Sequence, residues 1–151
     1  MQTIIKSRII WLVLAFFMTA CNSTPTESKQ TTLEKYGSPY GIPWEKDLET
    51  AFEKAKNENK IVMVMAVSEG CKWCVNMKKN TLSNPKVAKK LENYILVMAD
   101  RETPSEREQL PPFKHVPIIF FMTHEKEMLD NLRGYFPPEN FLEYINDFEE
   151  E

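Results

Sequence analysis

The stretch Ile61–Asn76 reads IVMVMAVSEGCKWCVN, and its two halves predict different secondary structure. The first seven residues are apolar without alternation, which is typical of a strand covered on both faces. After Ser68-Glu69-Gly70 the spacing becomes helical, and Cys71 and Cys74 fall on one face of the helix start. The stretch therefore predicts a buried strand that leads directly into a helix carrying two thiols.

A helix start is a favourable place for a reactive cysteine. Unpaired backbone N–H groups and the positive end of the helix dipole stabilise a thiolate, and Lys72 adds a neighbouring cation. Such settings bring a cysteine pKa from about 8.5 into the range of roughly 3.5–7.5. We expect Cys71 to be the nucleophile and Cys74, one turn deeper, to attack the resulting mixed disulfide. Trp73 between them is expected to be exposed and to contact partner proteins.

Two other uses of the same cysteines remain open at this point. A purely structural disulfide is one, although closing a four-residue loop stabilises a chain little. The other is a copper-binding or metallochaperone module, because thiolates select soft metals and His115 precedes a predicted strand nearby. The sequence has only one further histidine and no second C-x-x-C, so we assign no metal ligand set. The predicted catalytic pair needs no cofactor.

Residues 1–20 are typical of a signal peptide. Lys6 and Arg8 precede ten apolar residues, too few to span a bilayer, and Thr19-Ala20 precede Cys21. This boundary resembles the lipobox of bacterial lipoproteins, which predicts lipidation of Cys21 and a membrane-anchored protein facing the periplasm. The alternatives are a spare thiol after an ordinary signal peptide and an uncleaved anchor. Residues 21–43 are mostly small, polar or charged and predict a flexible tether.

The charge balance argues against a nucleic-acid partner. The whole chain has 19 Lys and Arg against 22 Asp and Glu. Loss of Lys6 and Arg8 with the signal leaves 17 against 22, a net charge of −5.

We expect protein disulfides as substrates and a thiol electron donor at the membrane.

The remaining residues, 44–151, predict one α/β domain. A strand, a helical crossover and a second strand form a β-α-β unit with parallel strands, and a hairpin and a closing helix follow. The predicted elements are a helix from Trp44 to Asn59, the strand 61–67, a helix to Asn80, a helix 85–93, the strand 94–99, a helical turn near 105–110, the strands 116–122 and 127–132, and a helix from Pro138.

This order resembles the thioredoxin fold over about residues 44–149, a central mixed sheet of about four strands flanked by helices. Beside the cysteines, Val116-Pro117 matches the family's cis-proline site and Gly134 matches a glycine before the last helix. The resemblance implies that Pro117 faces the disulfide and that the Val116 backbone pairs with an extended substrate. The run from Glu69 to Cys74 is similar to extracytoplasmic thioredoxin-related proteins, including the C-terminal domains of transmembrane thiol reductases.

Two positions depart from the family pattern. Many thioredoxins carry a buried acid in the strand before the cysteines, and Met65 occupies that position here. The middle pair Lys72-Trp73 also differs from the best-known relatives, so the resemblance implies no particular reduction potential. The resulting prediction is an extracytoplasmic thiol–disulfide oxidoreductase that reduces partner proteins.

Overall fold

The computed structural model describes residues 30–39 and 41–150. Its α-helices are α1 (Thr32–Tyr36), α2 (Leu48–Glu58), α3 (Lys72–Asn76), α4 (Pro85–Leu91), α5 (Pro104–Arg107) and α6 (Pro138–Glu150), and α3 continues as a π-helical segment, Met77–Leu82. Its strands are β1 (Val62–Val67), β2 (Ile95–Asp100), β3 (Ile118–Met122) and β4 (Met128–Arg133). Within these residues, no helix has the length and apolar character needed to cross a membrane.

The four strands form one mixed sheet in the order β2-β1-β3-β4. β1 and β2 are parallel, whereas β3 is antiparallel to both β1 and β4. The predicted β-α-β unit, hairpin and flanking helices are therefore confirmed. Every residue of β1, β2 and β3 is buried, as the unbroken apolar runs predict.

Each face of the sheet has its own core. On the first face, Met63 and Met65 pack with Phe121 and with Phe141 and Ile145 of α6. On the second face, α2 contributes Leu48, Ala51, Phe52 and Ala55, which pack with Val64 and Phe120. The first face also receives Cys74, so the C-x-x-C helix is seated on the core that α6 closes.

The first predicted helix begins later than its apolar stripe suggested. Trp44 is buried in the first core, whereas α2 starts at Leu48 and packs in the second. The side chain of Asp47 accepts a hydrogen bond from the Thr50 N–H at 2.8 Å and caps the helix there. An N-cap carboxylate of this kind fixes where a helix starts.

The prediction of a flexible tether over residues 21–43 is wrong for the part that contains α1. Thr31 and Glu34 form a capping box, in which each side chain accepts a hydrogen bond from the other residue's backbone N–H. Gly37 ends the helix at a φ of 67°, a conformation that favours glycine. Because this segment has few apolar residues, its composition does not indicate a helix. Polar contacts hold the helix against the domain. Residues 21–29 of the predicted tether and the predicted signal peptide, 1–20, lie outside the described residues.

Candidate active site

The two cysteines form a disulfide at the carboxyl end of β1. Their Cα atoms are 5.3 Å apart, and the turn before them includes Gly70 at a φ of 70°. Cys71 is the N-cap of α3, and its Sγ accepts a hydrogen bond from the Cys74 N–H at 3.1 Å. Cys71 is partly exposed, whereas Cys74 is only 3% exposed. A partner can therefore reach Cys71 and not Cys74.

Val116 and Pro117 precede β3 and lie at the same end of the sheet as the cysteines, because Ile118 pairs with Ala66 of β1. The Val116-Pro117 peptide bond is cis, which confirms that prediction. The Pro117 carbonyl accepts a hydrogen bond from the Gly134 N–H at 2.9 Å, which joins the loop before β3 to the end of β4.

Trp73 and the Val116-Pro117 loop line a shared depression of about 260 Å³. Trp73 is 58% exposed and stacks on Tyr135 with a ring-centroid distance of 5.6 Å. The structure thus brings together the residues Trp73, Val116 and Pro117 that the sequence singled out. It adds Tyr135, which sequence reasoning missed. An exposed tryptophan held by one stacking contact presents a large apolar surface to a partner.

The sequence matches the thioredoxin-like family over residues 43–123, more than half of the chain. This chain belongs to the thioredoxin-like family. The match includes both cysteines and Pro117, and it extends from Pro43 into the turn after β3.

Solved structures show the same fold. A thioredoxin from Thermus thermophilus has 25% sequence identity and a TM-score of 0.60, and covers 70% of this chain and 85% of its own. The C-terminal domain of Neisseria meningitidis DsbD in its oxidised form has 21% identity and a TM-score of 0.55, and covers 71% of this chain and 98% of its own. The predicted thioredoxin fold is therefore confirmed.

A longer relative shares a short part of this sequence. Spermatogenesis-associated protein 20 of Mus musculus is 39% identical over 61 residues. The match covers 40% of this chain but only 7% of the mouse protein.

α1 forms a wall beside the disulfide that the sequence did not predict. Lys35 and Tyr36 line a cleft of about 430 Å³ together with Cys71, Cys74 and Lys78. Lys78 Nζ donates a hydrogen bond to the Tyr36 carbonyl, which fastens α1 to the π-helical segment after the cysteines. Burial lowers the pKa of Lys78, and the nearby charge of Lys79 acts in the same direction. α1 therefore forms one wall of the cleft that contains the dithiol.

Asp100, the last residue of β2, is the buried carboxylate that holds α1. Its side chain accepts hydrogen bonds from Lys35 Nζ at 2.7 Å, from the Tyr36 hydroxyl at 2.9 Å and from the Glu102 N–H at 2.9 Å. Burial alone would raise the pKa of Asp100, but these three donors outweigh it and hold the pKa below its usual value. The hydrogen bond to Asp100 raises the pKa of Lys35.

A second carboxylate, Glu106 of α5, completes the attachment. It accepts hydrogen bonds from the Thr32 hydroxyl at 2.7 Å and from the Asp100 N–H at 2.6 Å. Sequence reasoning missed both acids because their partners lie 64 to 74 residues away in the chain. The capping box at Thr31 and Glu34 was the one local signal that indicated a helix there.

His115, the histidine considered as a third metal ligand, lies apart from the cysteines. It is exposed and lines a groove beside β3 and β4, whereas neither the cleft that contains Cys71 and Cys74 nor the depression beside Trp73 includes it. Among residues 30–39 and 41–150, no three His, Cys, Asp or Glu side chains are grouped so as to hold a metal ion.

Proposed function

We propose that this protein is an extracytoplasmic thiol–disulfide oxidoreductase that keeps cysteines of partner proteins reduced. The observation that carries the proposal is the unequal accessibility of a bonded cysteine pair at a helix start. Cys71 is reachable and its sulfur is contacted by a backbone N–H, while Cys74 is buried directly behind it. The Val116-Pro117 loop, which the family resemblance assigns to substrate binding, lies at the same end of the sheet.

The proposed reaction starts from the reduced dithiol. The Cys71 thiolate attacks a partner disulfide, so that a Cys71–partner S–S bond forms and the partner's other sulfur leaves as a thiolate that takes up a proton. Cys74 then loses its proton and attacks Cys71 Sγ, which forms the Cys71–Cys74 bond and releases the second partner thiol. Two electrons pass to the partner, and the chain reaches the disulfide state that the structure shows.

A thiol electron donor at the membrane must return those two electrons in each cycle. The resemblance to the C-terminal domains of transmembrane thiol reductases supports the reducing direction. Lys72 acts against it, because a cation that stabilises the thiolate makes the disulfide more oxidising. We therefore assign the reducing direction on the basis of the resemblance. The reduction potential of the Cys71–Cys74 pair is the measurement that tests it.

Transfer of disulfides from a partner to the dithiol is the direct test of this function. Reduced protein freed of small thiols is expected to reduce one insulin disulfide per chain, with two new thiols on insulin and none left on the domain. Thiol counting on the separated proteins measures this stoichiometry. No transfer from a reduced chain that binds Cu(I) tightly would contradict the proposal and favour the metallochaperone.

We also propose that Cys21 carries a lipid that anchors the domain outside the cytoplasm. The apolar segment before Cys21 and the lipobox-like Met18-Thr19-Ala20-Cys21 support this assignment. A periplasmic location also fits a stable disulfide, since cytoplasmic thiols are kept reduced.

The variant Cys21→Ser is expected to fold normally but to leave the membrane fraction. Without the thiol no lipid can be attached, and the active-site cysteines are unchanged. Fractionation and metabolic labelling with a fatty acid measure the two effects. A parent protein that takes up no label, or a variant that stays in the membrane fraction, would show that another element holds the chain there.

A further inference from the structure

A groove on the second face of the sheet lies beside the candidate active site and has no role in the chemistry above. We name it the β4 groove. Its volume is about 710 Å³. Its apolar surface comes from Phe113, Ile118, Phe120 and Met128, and its charged side chains are those of Lys114 and Arg133.

The β4 groove exists because β4, unlike the buried strand β3, is largely uncovered on this face. The connection from β2 to β3 contains only the four-residue α5, and α2 packs over β1 and β2. β4 is an edge strand, and the side chain of Met128 is 46% exposed. Apolar surface is therefore left open next to an unpaired strand edge, which is a favourable arrangement for binding an extended segment.

The charges around the groove all have one sign. Among the residues that the structure describes, no carboxylate lines it, although the chain has an excess of acidic residues. Among the described residues, neither Lys114 nor Arg133 forms an ion pair, and Arg133 Nε donates only to the neutral Asn131 side chain at 2.9 Å. The nearby Asp130 carboxylate instead accepts a hydrogen bond from the Tyr144 hydroxyl of α6, at 2.7 Å. The two unpaired cations are therefore available to an acidic ligand.

The groove is continuous with the candidate active site through two short segments. Lys114, His115 and Ile118 line the groove, while Val116 and Pro117 between them line the depression that contains Trp73. In the same way Arg133 lines the groove and the next residue, Gly134, lines the depression. A polypeptide that crosses Val116 to reach Cys71 thus has the groove as its continuation.

We propose that the β4 groove binds a segment of the substrate protein in which an apolar side chain is flanked by carboxylates, next in sequence to the reacting cysteine. The apolar side chain packs on Phe113 and Met128, and the carboxylates pair with Lys114 and Arg133. This inference rests on the proposed function for its link to the cysteine. The binding of the acidic segment itself does not depend on redox chemistry.

Binding of a cysteine-free peptide tests the groove alone. The probe is a fluorescein-labelled peptide with a central Phe between Asp and Glu residues, compared with a peptide of the same length that has Lys in their place. We expect the acidic peptide to bind the oxidised protein and Arg133→Glu or Lys114→Glu to weaken it about tenfold, because each replaces an attractive pair by repulsion. The control Lys86→Glu makes the same charge change on α4, which packs on the other face, and is expected to leave binding unchanged. Equal binding of both peptides, or equal loss in all three variants, would overturn the proposal.

Mixed-disulfide formation then separates the groove from the proposed function. In the Cys74→Ser variant, Cys71 is expected to react about tenfold faster with an activated cysteine peptide that carries the acidic segment than with the lysine peptide, and Arg133→Glu is expected to remove this preference. Reaction with both peptides at one rate, without preferential binding, would contradict the groove and leave the function intact. Preferential binding without any reaction would support the groove and contradict the function. A concentration-dependent dimer that Arg133→Glu abolishes would instead assign the groove to a second copy of the chain.

Discussion

Cys71→Ser is expected to reduce disulfide transfer to the level of the buffer, whereas Cys74→Ser is expected to accumulate mixed disulfides with partner proteins. The reason is the geometry of the pair. Cys71 is the sulfur that a partner can reach, and Cys74 is buried where it can attack only a bond already formed at Cys71. Diagonal electrophoresis of cell extracts measures the trapped species, and thiol counting on insulin measures the transfer.

The two single variants serve as matched controls for each other, since each removes one sulfur and leaves the other at the same helix start. Trapping through Cys74 in the Cys71→Ser variant would reverse the assigned roles. Loss of trapping in Cys74→Ser with normal reduction of insulin would show that transfer does not pass through a mixed disulfide.

Asp100→Asn is expected to destabilise the domain by about 2 kcal/mol, because it weakens charge-assisted hydrogen bonds in a buried place. The Asp100 residue is 2% exposed, and its carboxylate holds both Lys35 and Tyr36. Denaturant unfolding measures the loss of stability. Relative to the parent chain, Asp100→Asn should accelerate hydrogen exchange of the α1 amides more than that of the β1 amides, because the substitution releases α1 first.

Glu102→Gln is the matched control, since Glu102 is a neighbouring but exposed acid that pairs with Arg101. This change is expected to alter stability by less than about 0.5 kcal/mol. A similar loss in both variants, or unchanged exchange in α1, would mean that Asp100 does not hold the helix.

The same carboxylate determines a pH dependence. The pKa of Asp100 is lower in the folded chain than its ordinary value, so the unfolded chain binds the proton more readily. Its contribution to stability is therefore complete above the unfolded pKa of about 3.9 and is lost as the pH falls through the folded pKa. Unfolding free energies should fall less steeply below pH 4 in Asp100→Asn than in the parent chain.

The elements predicted from the sequence are those that local pattern determines. The run 61–67 is apolar on both faces because β1 is central and covered by α2 and by the helices that follow the cysteines. The cysteine spacing marked the helix start, and a proline before an apolar run marked the loop at Pro117. Each signal lies within a few residues of the feature that it predicts.

The features that were not predicted depend on distant partners. α1 has few apolar residues and is attached through Asp100 and Glu106, which follow it by more than sixty positions. The family pattern places a buried acid at the position of Met65 in β1. The buried acid Asp100 lies instead on the neighbouring strand, opposite Val67. The β4 groove likewise depends on which residues of β3 and β4 share a face, and the register sets this only after folding.

The reduction potential of the Cys71–Cys74 pair tests the central claim most directly. It is measured by equilibrating the domain in glutathione buffers of known ratio and quantifying the dithiol form after acid quenching. The account predicts a reversible two-electron equilibrium with a potential below about −200 mV, the range of reducing dithiol proteins. A potential near about −120 mV, or a pair that does not equilibrate with the buffer, would contradict it.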